Sequence, residues 1–223
     1  MAWNNQEFLK FAVENNVAGV FENPVKLKCG RLSPYYINWR KATNYAKSLT
    51  KLGDFVSDAV IENFDDVDTI FGVPEGATKT GIISQIKYAE KRGFDKDYIV
   101  SMGRGKVKDH GLPEDRFFVG APVGKTVLME DVVTTGSSLL EWIEKLEEVK
   151  NCKVVGCVVL TDREEIRDDG KTVKECIEEK GIKYCPLSTS KELLKMIEKD
   201  LDEERKRQVI NYFEKYTKVT PPF

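Results

Sequence analysis

Residues 127–138 of the 223-residue chain read VLMEDVVTTGSS. An apolar, β-branched run delivers Glu130 and Asp131. After Val132 and Val133, the turn Thr134, Thr135, Gly136, Ser137 and Ser138 leads into a stretch with helical spacing, roughly 137–149. Two recognition chemistries meet there. Hydroxyls, a glycine and the open N–H groups of a helix start cradle an anion, and adjacent carboxylates accept hydrogen bonds from hydroxyls. A ligand with phosphate at one end and vicinal hydroxyls beside it satisfies both, and ribose 5-phosphate is such a ligand. The plainer alternative is an acid-ended strand followed by an ordinary helix cap. The joint occurrence of strand, acid pair and turn favours the ligand.

A second cationic constellation lies in GRGKVKDHGLPEDR, residues 103–116. Arg104, Lys106, Lys108 and His110, the only histidine, occupy alternate positions, so in an extended loop they point the same way. Gly103, Gly105 and Gly111 let such a loop move. A mobile row of cations suits a leaving group with several negative charges; a solvated basic surface loop is the competing reading. GAPVGKT at 120–126 resembles a nucleotide-binding P-loop, but it is one residue short between its glycines and precedes a strand instead of a helix.

These residues need a frame. VDTIFGV, DYIVSM, KTVLMED and CKVVGCVVLTD are short β-branched runs, with helical stretches at 78–92 and roughly 137–149 between them. Such alternation predicts βαβ units and a parallel sheet flanked by helices on both faces. IKYCPL adds a strand, and helices are predicted at 5–16, 44–63, 190–199 and 202–216. Cys29-Gly30 is a turn between two short extended pieces in VKLKCGRLSPYYINWR. The expected division is a small N-terminal hood segment, 1–40, and a core with C-terminal helices, 41–223. In open sheets of this kind ligands bind beyond the carboxyl ends of the strands.

Composition narrows the class. Hydrophobic residues make up 41% and charged residues 32% of the chain, a globular balance. A net charge of −2 gives no field for nucleic acid, and no apolar run is long enough for a membrane span. The first residues, MAWNNQEFLKFAVENN, lack a signal-peptide pattern, so a cytoplasmic protein is expected. The five cysteines are odd in number and form no C-x-x-C pair, which argues against a disulfide framework or structural zinc; Cys152 and Cys157 read as small core side chains.

VLMEDVVTTGSS resembles the phosphoribosyl pyrophosphate signature of type I phosphoribosyltransferases, with Glu130 where the usual version has a first aspartate. K-D-H-G at 108–111 resembles the catalytic loop of the orotate phosphoribosyltransferases, and LKCGRLSPYYIN, residues 27–38, resembles that family's amino-terminal substrate segment. The resemblance runs from about residue 7 to about residue 165. It implies a type I phosphoribosyltransferase-like α/β fold and transfer of ribose 5-phosphate from phosphoribosyl pyrophosphate to orotate, with magnesium held mainly by pyrophosphate and water. Arg104, Lys108, Asp109 and His110 carry over as loop residues. The family often has lysine after the arginine; Gly105 stands there, with Lys106 the neighbouring cation. Lys28 meets both substrates, Tyr35, Tyr36 and Thr134 line the base site, and Arg163 in LTDREE reads the carbonyl edge of orotate through its planar fork. FGVPEGATKTG, residues 71–81, falls where the family binds pyrophosphate, through backbone N–H groups of Glu75, Gly76 and Ala77. It lacks the family's frequent aromatic residue and lysine, for which Lys79 is the candidate replacement. The resemblance also implies a homodimer whose 103–116 loop closes over the partner's site. Two alternatives remain: a phosphoribosyltransferase for another base, and a non-catalytic sensor of phosphoribosyl pyrophosphate. The sensor would usually carry a DNA-binding domain, for which the helix at 5–16 leaves no room.

Overall fold

A computed structural model describes residues 3–106, 108–110 and 116–223. Gly111, one of the loop glycines singled out above, lies outside these residues. The main sheet is parallel and four-stranded, built from β3 (Thr69–Gly72), β6 (Gly124–Val133), β7 (Cys152–Asp162) and β8 (Lys183–Pro186) in that order. Successive side chains point to opposite faces of a strand, and the sheet divides its apolar residues accordingly. Val127, Met129, Val158 and Leu160 enter one core, whereas Leu128, Cys157 and Val159 enter the other. The first core is covered by α1 (Asn5–Glu14), α2 (Ala46–Asn63), α3 (Thr78–Lys91), α6 (Ser190–Met196) and α7 (Glu203–Tyr216). The second is covered by α4 (Ser137–Glu147) and α5 (Val173–Glu178). No helix among the described residues is long and apolar enough to cross a membrane.

The predicted extended pair near the amino terminus is an antiparallel hairpin, β1 (Ala18–Lys26) and β2 (Leu32–Ile37). Gly30 closes its turn with φ 88°, a left-handed conformation that glycine adopts freely. Trp39, just beyond β2, stacks on Phe8 at 5.0 Å between ring centroids and donates from Nε1 to Thr161 Oγ1 at 2.9 Å. That contact seats the hairpin against the carboxyl end of β7.

One predicted strand is not in the sheet. Within DYIVSM only Met102 pairs, in a two-stranded antiparallel ribbon of β4 (Met102–Gly103) and β5 (Phe118–Val119). The residues before it lack a ladder partner because the Gln85 side chain takes that place: its Nε2 donates to Ile99 O at 3.0 Å and to Asp68 O at 2.9 Å. Val100 accordingly stands exposed, and Arg104 follows directly on the ribbon.

The turn after β3 is set by contact between two glycines. A Cβ on Gly81 of α3 would lie 2.6 Å from Gly72 Cα, so α3 rests directly on β3 and fixes where residues 74–77 stand. Gly81→Ala should therefore destabilise the fold by about 1–3 kcal/mol, the usual range for overpacking against atoms that cannot yield. Urea unfolding measures this, and an unshifted midpoint would refute the close contact.

Candidate active site

β6 ends in Glu130 and Asp131, and the chain then turns into α4. Gly136, the residue before that helix, has φ 69°, and a Cβ there would approach Val173 Cγ1 to 2.6 Å. Only glycine satisfies both conditions. No side chain caps α4, so its first-turn N–H groups stay open to a ligand, with the positive end of the helix dipole behind them. Val132, Val133, Thr134, Thr135, Gly136, Ser137 and Ser138 all line a cavity of about 270 Å³ here, and Glu130 and Lys28 complete its wall.

A second cavity, also about 270 Å³, adjoins the first. Lys28, Glu130, Val132, Thr134 and Ser138 line both. Lys28 sits at the hairpin turn, and its Nζ donates to Ser138 Oγ at 2.8 Å, tying hairpin to helix start. Asp131, Glu75, Gly76, Tyr36 and Arg163 are found only in the second wall. Gly76 leaves room for Asp131 there, since a Cβ would fall 2.7 Å from Asp131 Oδ2 and displace that side chain. Glu130 thus sits between the cradle at the start of α4 and a second chamber that Asp131 also borders.

The acids differ in setting. Glu130 is buried, and its Oε1 accepts the Asp131 N–H at 3.2 Å. Burial, reinforced by the Asp131 charge, pushes its pKa well above the ordinary carboxylate range. Asp131 is half-buried and accepts the Val132 N–H at 2.9 Å.

Arg163 follows β7. Its N–H donates to Val133 O at 2.9 Å, carrying the sheet pairing one residue past the strand. The guanidinium is 1% exposed and lies 4.0 Å above the Tyr35 ring centre. Nε donates to Glu165 Oε1 at 2.7 Å and Nη2 to Ser33 Oγ at 2.9 Å. Nη1 has no partner. Nη1 is thus a desolvated donor with nothing to donate to, on a residue that lines the second cavity.

Several expected residues lie elsewhere. Tyr35 is fully buried and lines neither cavity; its hydroxyl donates to Ser190 Oγ at 3.3 Å, because alternation along β2 turns it inward while Tyr36 faces the chamber. Ala77 is buried, and its N–H is spent on Val73 O at 3.1 Å. Lys79 turns outward to Thr43 O at 2.8 Å. Arg104, Lys106, Lys108 and His110 line neither cavity. The first and third are tied by their backbone N–H groups to Phe117 O at 2.8 Å and Arg116 O at 3.0 Å, continuing the ribbon. Conversely, Lys26, Asn38 and Arg40 line the second cavity and were not singled out by sequence. Their signal was proximity alone, since Asn38 closes LKCGRLSPYYIN and Lys26 and Arg40 flank it.

Hard carboxylate oxygens face this chamber, but no group of three His, Cys, Asp or Glu side chains among the described residues is arranged to hold a metal. Such a donor set suits a magnesium ion that takes most of its ligands from phosphate and water.

No family model matches the chain. It is 33% identical over 175 residues to the orotate phosphoribosyltransferase of Stutzerimonas stutzeri, covering 78% of this chain and 77% of that one. It is 31% identical over 225 residues to the orotate phosphoribosyltransferase of Lachnoclostridium phytofermentans, covering 95% and 96%. The crystal structure of the orotate phosphoribosyltransferase of Francisella tularensis superposes with a TM-score of 0.70 at 26% identity, over 94% of this chain and 95% of that one.

Glu164, beside Arg163, has a left-handed backbone, φ 58°, and its Oε2 is buried without a partner. Burial, then the Asp162 charge, pushes its carboxyl up to about 7. The folded state therefore holds this proton more tightly than the unfolded chain does. The stability it contributes is complete below the ordinary glutamate range and is lost as pH rises toward 7. Glu164→Gln should match wild type in melting temperature at pH 4 and exceed it at pH 8. An offset equal at both pH values would reject the titration.

Proposed function

The chain belongs to the orotate phosphoribosyltransferase family, and from that premise we propose how its two joined cavities carry the reaction. Ribose 5-phosphate passes from phosphoribosyl pyrophosphate to orotate: the anomeric C–O bond to pyrophosphate breaks, the bond to the base nitrogen forms, and orotidine 5′-monophosphate and pyrophosphate leave. The step belongs to pyrimidine synthesis. The observation that carries this assignment is the shared wall, in which Glu130 joins the open helix start to the chamber lined by Asp131 and by Arg163 with its unpartnered donor.

Residues 132–138 take the 5′-phosphate, and the acid pair accepts hydrogen bonds from the ribose hydroxyls. Bond breaking runs ahead of bond making, so the sugar becomes oxocarbenium-like, and the carboxylates stabilise that developing cation. Lys28 stands where both cavities meet and faces both substrates. Glu75 and Gly76 border the pyrophosphate. Tyr36, Thr134 and Arg163 border orotate, with Arg163 Nη1 the donor left for a base oxygen. When bound, magnesium neutralises pyrophosphate oxygens, and Asp131 is the carboxylate that would meet its waters.

Arg104, Lys106, Lys108 and His110 serve the departing pyrophosphate from a partner subunit. Two observations support a homodimer: these cations stand outside their own chain's cavities, and Val100, Phe117, Val119 and Val123 are exposed on and beside the ribbon that bears them. The 1–40 segment acts as a hood carrying Lys28 and Tyr36, and the enzyme works in the cytoplasm.

The direct test is orotate consumption followed spectrophotometrically with magnesium and phosphoribosyl pyrophosphate, against adenine, hypoxanthine and uracil. Turnover confined to orotate is expected, and preference for another base would overturn the substrate. Asp131→Asn should lower kcat by about a hundredfold or more while the substrate KM values move less, since the carboxylate acts mainly in the transition state. A near-normal kcat would remove it from the chemistry. Mixing inactive Lys108→Ala and Asp131→Asn proteins should restore activity once subunits exchange, because each mixed dimer then holds one site with both residues intact. Persistent inactivity, with exchange verified by mass, would place the loop in its own subunit's site.

A further inference from the structure

The Arg163 guanidinium is held from behind by groups that line neither cavity. Glu165 is its main partner, and the Glu165 side chain is completely shielded from solvent. Three donors converge on that one carboxylate: Arg163 Nε at 2.7 Å, the Tyr212 hydroxyl at 2.9 Å and Arg31 Nη1 at 2.9 Å. Tyr212 also bridges, since its oxygen accepts from Arg163 Nη2 at 3.4 Å. With Ser33 Oγ on Nη2 and the Tyr35 ring against the face, every side of the guanidinium except Nη1 is occupied.

The two arginines are matched differently. They share one buried carboxylate, Glu165. Arg31 has an outlet: Nη2 donates to Ile166 O at 2.7 Å and meets the exposed Asp168 at 3.6 Å. Arg163 has none. The unmet donor of the cluster is therefore Nη1, in a residue that lines the second cavity.

We propose that Glu165 and Tyr212 are positioning residues for base recognition, fixing Arg163 so that Nη1 alone is offered to the base. This rests on the orotate reading above. A base with a carbonyl or carboxylate acceptor at that point completes the network; one without it leaves a buried guanidinium N–H unpaired, and such sites reject the wrong ligand strongly. Tyr212 belongs to α7, so the helix near the end of the chain sets selectivity at a site built on β6 and β7. Its ring meets Tyr35 edge-on at 5.5 Å, and Arg31 lies 4.7 Å over Tyr216 one turn further on, which couples helix, hairpin and arginine in one packed unit.

Tyr212→Phe keeps the ring and removes the hydroxyl, and Glu165→Gln keeps the shape and removes the charge. Each should raise the orotate KM roughly tenfold, the scale of one hydrogen bond to a charged group. The KM for phosphoribosyl pyrophosphate and kcat should stay within about twofold in Tyr212→Phe, since neither the phosphate cradle nor the acid pair is touched. Arg163→Ala is the reference, expected to raise the orotate KM further still. A merely structural role would lower the melting temperature and move both KM values together. If Glu165→Gln fails to fold, Tyr212→Phe decides alone. An unchanged ratio of the two KM values in Tyr212→Phe, where Arg163→Ala does change it, overturns the positioning role and leaves the orotate assignment standing. A wild-type protein that consumes no orotate overturns that assignment and this role with it.

Discussion

Val133 pairs with Asp162 at the last rung of the parallel β6–β7 ladder, and the next N–H, from Arg163, donates to the Val133 carbonyl. That register puts the acid pair of one strand and the arginine of the next at the same edge. It is enforced by the two cores, because Val127 and Met129 face one side with Val158 and Leu160, while Leu128 faces the other with Cys157 and Val159. A slip of one residue would exchange the faces. Glu130 and Arg163 would then turn away from the chamber they now border. The open start of α4 depends on the same rung, since the Thr134–Gly136 turn begins where the pairing stops.

Charges at this edge are buried at a cost that packing alone does not offset. Replacing a buried ion pair by apolar residues is often neutral or stabilising, so the Arg163–Glu165–Arg31 cluster is a poor account of why the fold is stable. It is a good account of why Arg163 has one orientation. The Glu130 carboxyl shows the same tension from the acid side: burial and the neighbouring Asp131 charge disfavour its ionised form. A cationic sugar arriving beside the pair would relieve that strain, which is why on the proposed reading the burial serves transition-state binding more than ground-state stability.

What could be read from sequence was local. Strand, acid pair and phosphate turn are contiguous in 127–138, so their types and spacing determine one another, and the structure lines a single cavity with that turn. The four sheet strands and the hairpin were legible for the same reason, through alternation and turn chemistry. DYIVSM misled because its composition suits a strand, while its ladder partner was replaced by one glutamine side chain from α3. Tyr35 and Tyr36 were indistinguishable as types; which one faces the chamber depends on strand parity and on α7 packing over Tyr35. Glu165 and Tyr212 lie 47 positions apart and meet only through the tertiary fold.

The separation of charges across the site completes the picture. Lys26, Lys28 and Arg40 border the second cavity from the hairpin side, opposite the carboxylates of the sheet edge. Loop cations fixed permanently among those carboxylates would pair with them, and each pair formed would remove an acid from the ribose and a cation from the leaving group. Placing Arg104, Lys106, Lys108 and His110 on a separate ribbon avoids that neutralisation. Gly105 marks how close the two parts come, because a Cβ there would meet the tip of the Glu75 carboxylate, which would have to swing aside. In the proposed reaction the cations come to the site with the pyrophosphate charge present to receive them, and the acid pair stays free for the sugar.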